Sequence, residues 1–247
     1  MAVPINLDGI DYQANPLDGG ENADFDQAFA KIIAGLGPGG AIPNTYAQLL
    51  AMRKEDIRKA VGIAKEKMQA TFKTWSSDTS IALARIRPWH LRRTTAAGAE
   101  TPYIAAGGGV TAAANLWTYA LPAAAGVNAW LGWGAAYVNV NRMDRDCMVV
   151  IVGMMQAILP PLVEDVQFTI DNHLYPWESI NDGAFVSVNR DNQLIAPIKT
   201  KIIPPQTNYA ANVYANNVIT TTCVLIPVGV TIARGSFLAG AIRAVVM

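Results

Sequence analysis

The sequence predicts an α+β protein: an N-terminal helical arm of two helices, the second long and basic, followed by a mainly antiparallel, jelly-roll-like β-sandwich. Three observations predict it. Apolar residues recur at helical spacing as far as residue 75, strand-like runs separated by turn residues fill the second half, and no helical pattern alternates with those runs. The expected division is 1–95 for the acidic segment and basic arm, 96–126 for an Ala/Gly-rich linker or excursion, and 127–247 for the sandwich.

The first helix starts at Asp24, which with Gln27 resembles a capping box, and Phe25, Phe29, Ile32, Ile33 and Leu36 follow at helical spacing. "GLGPGG", residues 35 to 40, ends it. That run satisfies G-x-G-x-x-G, but a dinucleotide loop needs a strand before it and a helix immediately after. Here a helix precedes it and Pro38 removes a backbone donor, so it reads as a helix stop.

The second helix is expected from Asn44 or Thr45 to Trp75. Its apolar stripe is Ile57, Val61, Ala64, Met68, Phe72 and Trp75, with Arg53, Lys54, Arg58, Lys59, Lys65, Lys67 and Lys73 mostly off the stripe.

The formal charge of zero hides opposed blocks. Residues 1–30 carry six acids and no bases (−6), residues 31–93 carry twelve bases and four acids (+8), and residues 94–247 carry seven bases and nine acids (−2). The basic block ends in "ARIRPWHLRR", residues 84–93. Arg85, Arg87, Arg92 and Arg93 offer planar donor forks suited to phosphates, and Trp89 offers a ring on which a base stacks. The same cations equally suit the acidic block, residues 8–26, of another copy. Both partners stay open.

From Thr94 to about Gly126 the composition turns to Ala, Gly and Thr, read as linker. The strand-like runs that follow are "AAYVNVN", "CMVVIVGMM", "DVQFTID", "AFVSVN", "QLIAPIKTKII", "NVITTTCVLI" and "VGVTIARGSFL", with turns expected at Asn181–Gly183 and Arg190–Asn192. The apolar chain end, residues 236–247, is expected to be ordered and buried.

The apolar run from Met148 to Val163 has 16 residues, contains Gln156 and ends near Pro160-Pro161. A spanning helix needs about 20, so a buried strand is expected and no membrane span. Cys147 and Cys223 lack paired spacing and are expected as buried thiols. The first residues carry no secretory-type pattern, which suits synthesis in a cytoplasm.

Chemistry-bearing patterns are sparse. Asp171, His173 and Ser179 contain the residue types of a hydrolytic triad, without a supporting motif. The two histidines, His90 and His173, are expected to be dispensable for folding. Asp144, Asp146, Glu164 and Asp165 read as solvated strand ends, and neither catalytic residues nor a cofactor or metal site is predicted. Tyr175 and Trp177 lie in one expected loop, where aromatic rings suit sugars or partner side chains.

The composition carries the functional expectation. Residues 94–247 hold only 16 charged residues in 154, and obligate interfaces are more apolar than ordinary surface. The expected function is a self-assembling structural protein, a viral capsid or coat subunit located in the virion. Its partners are copies of itself and nucleic acid bound without sequence preference. The alternatives are a β-sandwich carbohydrate- or receptor-binding module and a hydrolase.

Overall fold

Every residue from Cys147 to Gln156 is buried, and the rest of the chain is layered around that strand. The structure, a computed structural model, describes residues 15–16, 23–35, 44–75, 81–87, 90–98, 100–102, 118–119, 125–130, 137–138, 140–156, 163–181, 187–188, 194–216, 223–235 and 237–238.

The helices are α1 (Ala23–Gly35), α2 (Asn44–Met52) and α3 (Lys54–Trp75). The strands are β1 (Asn15–Pro16), β2 (Ile81–Arg85), β3 (Arg92–Thr95), β4 (Glu100–Pro102), β5 (Thr118–Tyr119), β6 (Gly126–Ala129), β7 (Tyr137–Val138) and β8 (Asn141–Arg142). They continue as β9 (Cys147–Gln156), β10 (Asp165–Ile170), β11 (His173–Leu174), β12 (Glu178–Ser179), β13 (Ser187–Val188), β14 (Leu194–Ile203), β15 (Asn208–Ala215) and β16 (Cys223–Arg234). The class is α+β with antiparallel sheets.

A central sheet runs in the order β1-β2-β16-β9-β14-β13, a second in the order β11-β10-β15-β6, and β4-β3-β7 form a third. The two larger sheets enclose one core. Val149 and Ile151 from β9 and Ala82 and Ala84 from β2 meet Val166 and Phe168 from β10 and Tyr209, Ala211 and Val213 from β15. The opposite face of the central sheet, with Met148, Val150, Leu83, Val230 and Ile232, packs on Phe25, Phe29, Tyr46, Leu50, Ile57 and Val61 of the helices.

This layering corrects the expectation of an arm. Phe25, Phe29 and Ile32 of α1 and Ile57, Val61 and Ala64 of α3 are spent on the chain's own sheet, because a strand buried on both faces needs a second apolar cover. The side chains of Met68, Phe72 and Trp75 lie outside the described residues. The long basic helix is also two helices, interrupted at Arg53, whose amide reaches the carbonyls of Leu49 (3.2 Å) and Leu50 (3.1 Å).

β9 changes the side to which its residues point. Val149 and Ile151 face the second sheet, but so does Met154, while Val152 and Met155 face the helices. The register to β16 shifts at the same place, between Val228 and Gly229. An extra residue in one strand inverts the alternation beyond it. Gly229 is required there, because a Cβ on it stands 2.0 Å from the Val150 carbonyl oxygen.

Residues expected as linker also enter sheets: β3 pairs with β4 and β7, and β5 with β16. "NVITTTCVLI" and "VGVTIARGSFL" contribute to a single strand, β16, which runs through Pro227. Of the expected turns, Asn181 is described, but residues 182–183 and 190–192 and most of the chain end lie outside the described residues. Leu238 is buried. Among the described residues no helix is long and apolar enough to cross a membrane.

Candidate interaction surface

The arginine-rich segment leaves the central sheet at the end of β2 and enters the third sheet at β3. That crossing carries it between layers. Arg87 is buried, and its amide donates to His90 Nδ1 at 3.2 Å while the His90 amide returns to the Arg87 carbonyl at 3.0 Å. His90 is buried too, with Thr231 Oγ1 at 2.7 Å from the same Nδ1. Nδ1 accepts the Arg87 amide, so the ring is the neutral Nε2–H tautomer. Burial, and then the Arg87 charge, lower its pKa to about 3. Burial likewise holds the Cys147 thiol well above its ordinary value, and its Sγ donates to the His90 carbonyl at 3.8 Å.

Arg92 is committed as well. Its guanidinium pairs with Asp144, its amide donates to the Tyr209 hydroxyl at 2.9 Å, and that hydroxyl donates to the Arg92 carbonyl at 2.8 Å. Asp146 pairs with Arg234 at 2.6 Å. Asp144 and Asp146 are therefore structural ion-pair partners rather than solvated strand ends. Arg85 is half-buried over the Tyr46 ring, 5.0 Å from its centroid. Arg87 and Arg92 thus depart from the expected basic surface, because Arg87 is buried and Arg92 is half-buried in its pair with Asp144. Arg93 lies in β3; its side chain and Trp89 are outside the described residues.

The acidic block does meet the basic helix, within one chain. Asp26 on α1 pairs with Lys54 at 2.7 Å and Arg58 at 2.8 Å, and the Lys54 hydrogen bond leads the effects that hold its carboxyl below the usual range. Arg58 also pairs with Glu55 at 3.1 Å, and Arg53 with Asp56 at 3.8 Å. Further along α3, Lys59 and Lys67 are exposed and Lys65 half-buried. Lys73 lies in the last turns of α3, its side chain outside the described residues.

Tyr175 and Trp177 part company. Between β11 and β12 the chain alternates, so Tyr175 turns inward, its ring 4.5 Å from Nζ of Lys201. Lys201 is buried and pairs with Glu178. Trp177 turns outward, edge-on to Tyr214 at 6.5 Å. Tyr175 is thus a packing residue, and Trp177 keeps a surface.

The triad residues are not brought together. His173 lies opposite Ile170 and Ser179 opposite Asp165, so β10 separates them by roughly 17 Å at ~3.4 Å per residue. Asp171 and Asn172, with φ of 51° and 62°, form the two-residue turn of the β10–β11 hairpin. Among the described residues no group of three or more His, Cys, Asp or Glu side chains is placed to hold a metal.

What the register does assemble is the outer face of the second sheet. One row is Leu174, Thr169 and Ala210; the next is Gln167, Asn212 and Ala129; the third is Ser179, Asp165, Tyr214 and Val127. Val140, one residue before the inward Asn141, alternates to the same side. Five large hydrophobic side chains are exposed among the described residues: Met52 (80%), Val127 (60%), Leu174 (59%), Val140 (56%) and Trp177 (38%). All but Met52 belong to this face. Sequence reading selected Trp177 and missed the other three, since a lone exposed valine or leucine carries no local signal.

Comparison with known proteins finds no protein-family model that matches the chain, and no curated protein sequence matches it.

Proposed function

We propose that this chain is a self-assembling structural protein, the coat subunit of a virion, built as a jelly-roll-like sandwich under a helical layer. The observation that carries this reading is the contrast between its two outward layers. The helix side presents the cations Lys59 and Lys67, while the far side presents a charge-poor sheet face on which Val127, Val140, Leu174 and Trp177 are exposed. Exposed apolar residues grouped on one face mark a surface that partners cover, and depletion of charge with aromatic enrichment is the composition of interface centres. A helical layer that carries eight cations against five acids over residues 23–75, opposite such a face, suits contact with a packaged nucleic acid, without sequence preference.

One observation favours a second reading, a carbohydrate-binding module. Trp177 stands beside Tyr214 on a face that also carries Gln167 and Asn212, and an indole flanked by amides suits a sugar ring. The three exposed aliphatic residues favour protein.

The test is negative-stain electron microscopy of the purified chain, with and without nuclease treatment. Uniform particles or filaments are the expected result; dispersed single subunits at every concentration would remove the coat reading.

A further inference from the structure

We propose that the outer face of the second sheet pairs with the same face of a second copy of this chain about a two-fold axis. The inference rests on the self-assembly reading and specifies the surface and its symmetry. The observation behind it is how the face distributes charge. Of the outward residues that the strand registers define, two are charged, Asp165 and Arg142, and they lie at opposite ends. Asp165 is level with Tyr214 and Arg142 with Asn208, six positions apart along β15, which is roughly 20 Å at ~3.4 Å per residue.

A two-fold axis lying in the plane between two facing sheets can exchange the ends of the face. Asp165 of each copy then meets Arg142 of the other, two equivalent ion pairs from one acid and one base. Gln167, Thr169, Ala210 and Asn212 fall near the axis. Amides suit that place, since each is both donor and acceptor and so complements itself. Like charges on the axis would repel their own images, and the centre of the face carries none. Val127, Val140, Leu174 and Trp177 surround the centre and gain burial on pairing. An unrelated partner would have to supply its own base and acid at this spacing; a second copy carries both.

Charge reversal tests the pairing. Asp165→Arg alone and Arg142→Asp alone are each expected to weaken self-association about tenfold or more, because each sets like charges against one another twice. The double variant, Asp165→Arg with Arg142→Asp, is expected to recover association to within about threefold of the wild type. The readout is mass by light scattering across a dilution series, with circular dichroism to confirm folding. A second variant, Thr169→Cys, lies closest to the two-fold axis on β10, does not depend on the ion pairs and is expected to give a disulfide-linked dimer on mild oxidation. If the wild type associates but folded single reversals leave association unchanged, or the double variant fails to recover it, this pairing is wrong and assembly proceeds elsewhere. A wild type that stays at 26.4 kDa throughout overturns the pairing and the assembly reading together.

Discussion

The Tyr46 hydroxyl donates to the Gly229 carbonyl at 3.2 Å and accepts the Gly229 amide at 3.1 Å, joining α2 to the central sheet across 183 residues of chain. Gly229 is where the β16 register shifts, so its polar groups fall out of step with the ladder. The Gly229 carbonyl also accepts the Ile86 amide at 3.3 Å, so the helix side chain chiefly supplies a partner for the Gly229 amide.

Tyr46→Phe keeps the ring and removes both hydrogen bonds. It is expected to cost about 1–3 kcal/mol, the penalty for leaving the buried Gly229 amide without its partner, while the Gly229 carbonyl keeps the Ile86 amide. Urea unfolding measures this through the midpoint. An unchanged midpoint would mean that the bulge finds other partners.

Lys201, which is buried, pairs with the partly buried Glu178 behind Tyr175. Lys201→Met alone is expected to destabilise the fold by about 1–3 kcal/mol, since it leaves the partly buried Glu178 with the Lys199 amide but without its cation. Adding Glu178→Gln should restore part of that loss. A double-mutant cycle showing no coupling would contradict the pair.

His90 sets a pH dependence. Its pKa falls from 6.5 unfolded to about 3 folded, so the unfolded chain binds the extra proton between those values. The stability it contributes is therefore complete above pH 6.5 and is lost progressively as pH falls toward 3. That loss is on the order of 5 kcal/mol. Asp26, with its carboxyl lowered, adds a loss of the same sign confined to the acid end. His90→Gln should flatten the slope of unfolding free energy between pH 6.5 and 4; an unaltered slope would assign it to other groups.

The basic residues divide by position. Lys59, Lys65 and Lys67 mutated to Ala should lower the salt slope of nucleic-acid binding by about 0.9 for each phosphate that is no longer neutralised. Arg87→Ala and Arg92→Ala should instead lower the thermal midpoint, because the Arg87 side chain is buried and the Arg92 guanidinium pairs with Asp144. Fluorescence anisotropy with a DNA duplex, over a range of salt, separates the two. Equal slopes in all variants would sever α3 from nucleic acid.

Strong periodicity made some elements legible. β10 alternates as Val166, Phe168 and Ile170 inward, and α1 ends at Gly35 where the glycine run begins. β15 escaped because its inward residues, Tyr209, Ala211, Val213 and Ala215, alternate with Asn208, Ala210, Asn212 and Tyr214. Alanine and asparagine are poor strand formers, and the pattern is faint without its neighbours. Amphipathic stripes showed that α1 and α3 bury a face, but a stripe does not name what covers it. The outer sheet face is less legible still. Val127, Val140 and Leu174 belong to separate segments, and only the folded sheet sets them around one face.

Sedimentation equilibrium of the untagged chain, over a hundredfold range of concentration, tests most directly whether this is a protein built to associate with itself. Masses that rise with concentration to multiples of 26.4 kDa, and fall back when Val127→Glu and Leu174→Glu are introduced together, are the predicted result. A single species at 26.4 kDa throughout, unaltered by those substitutions, would contradict it.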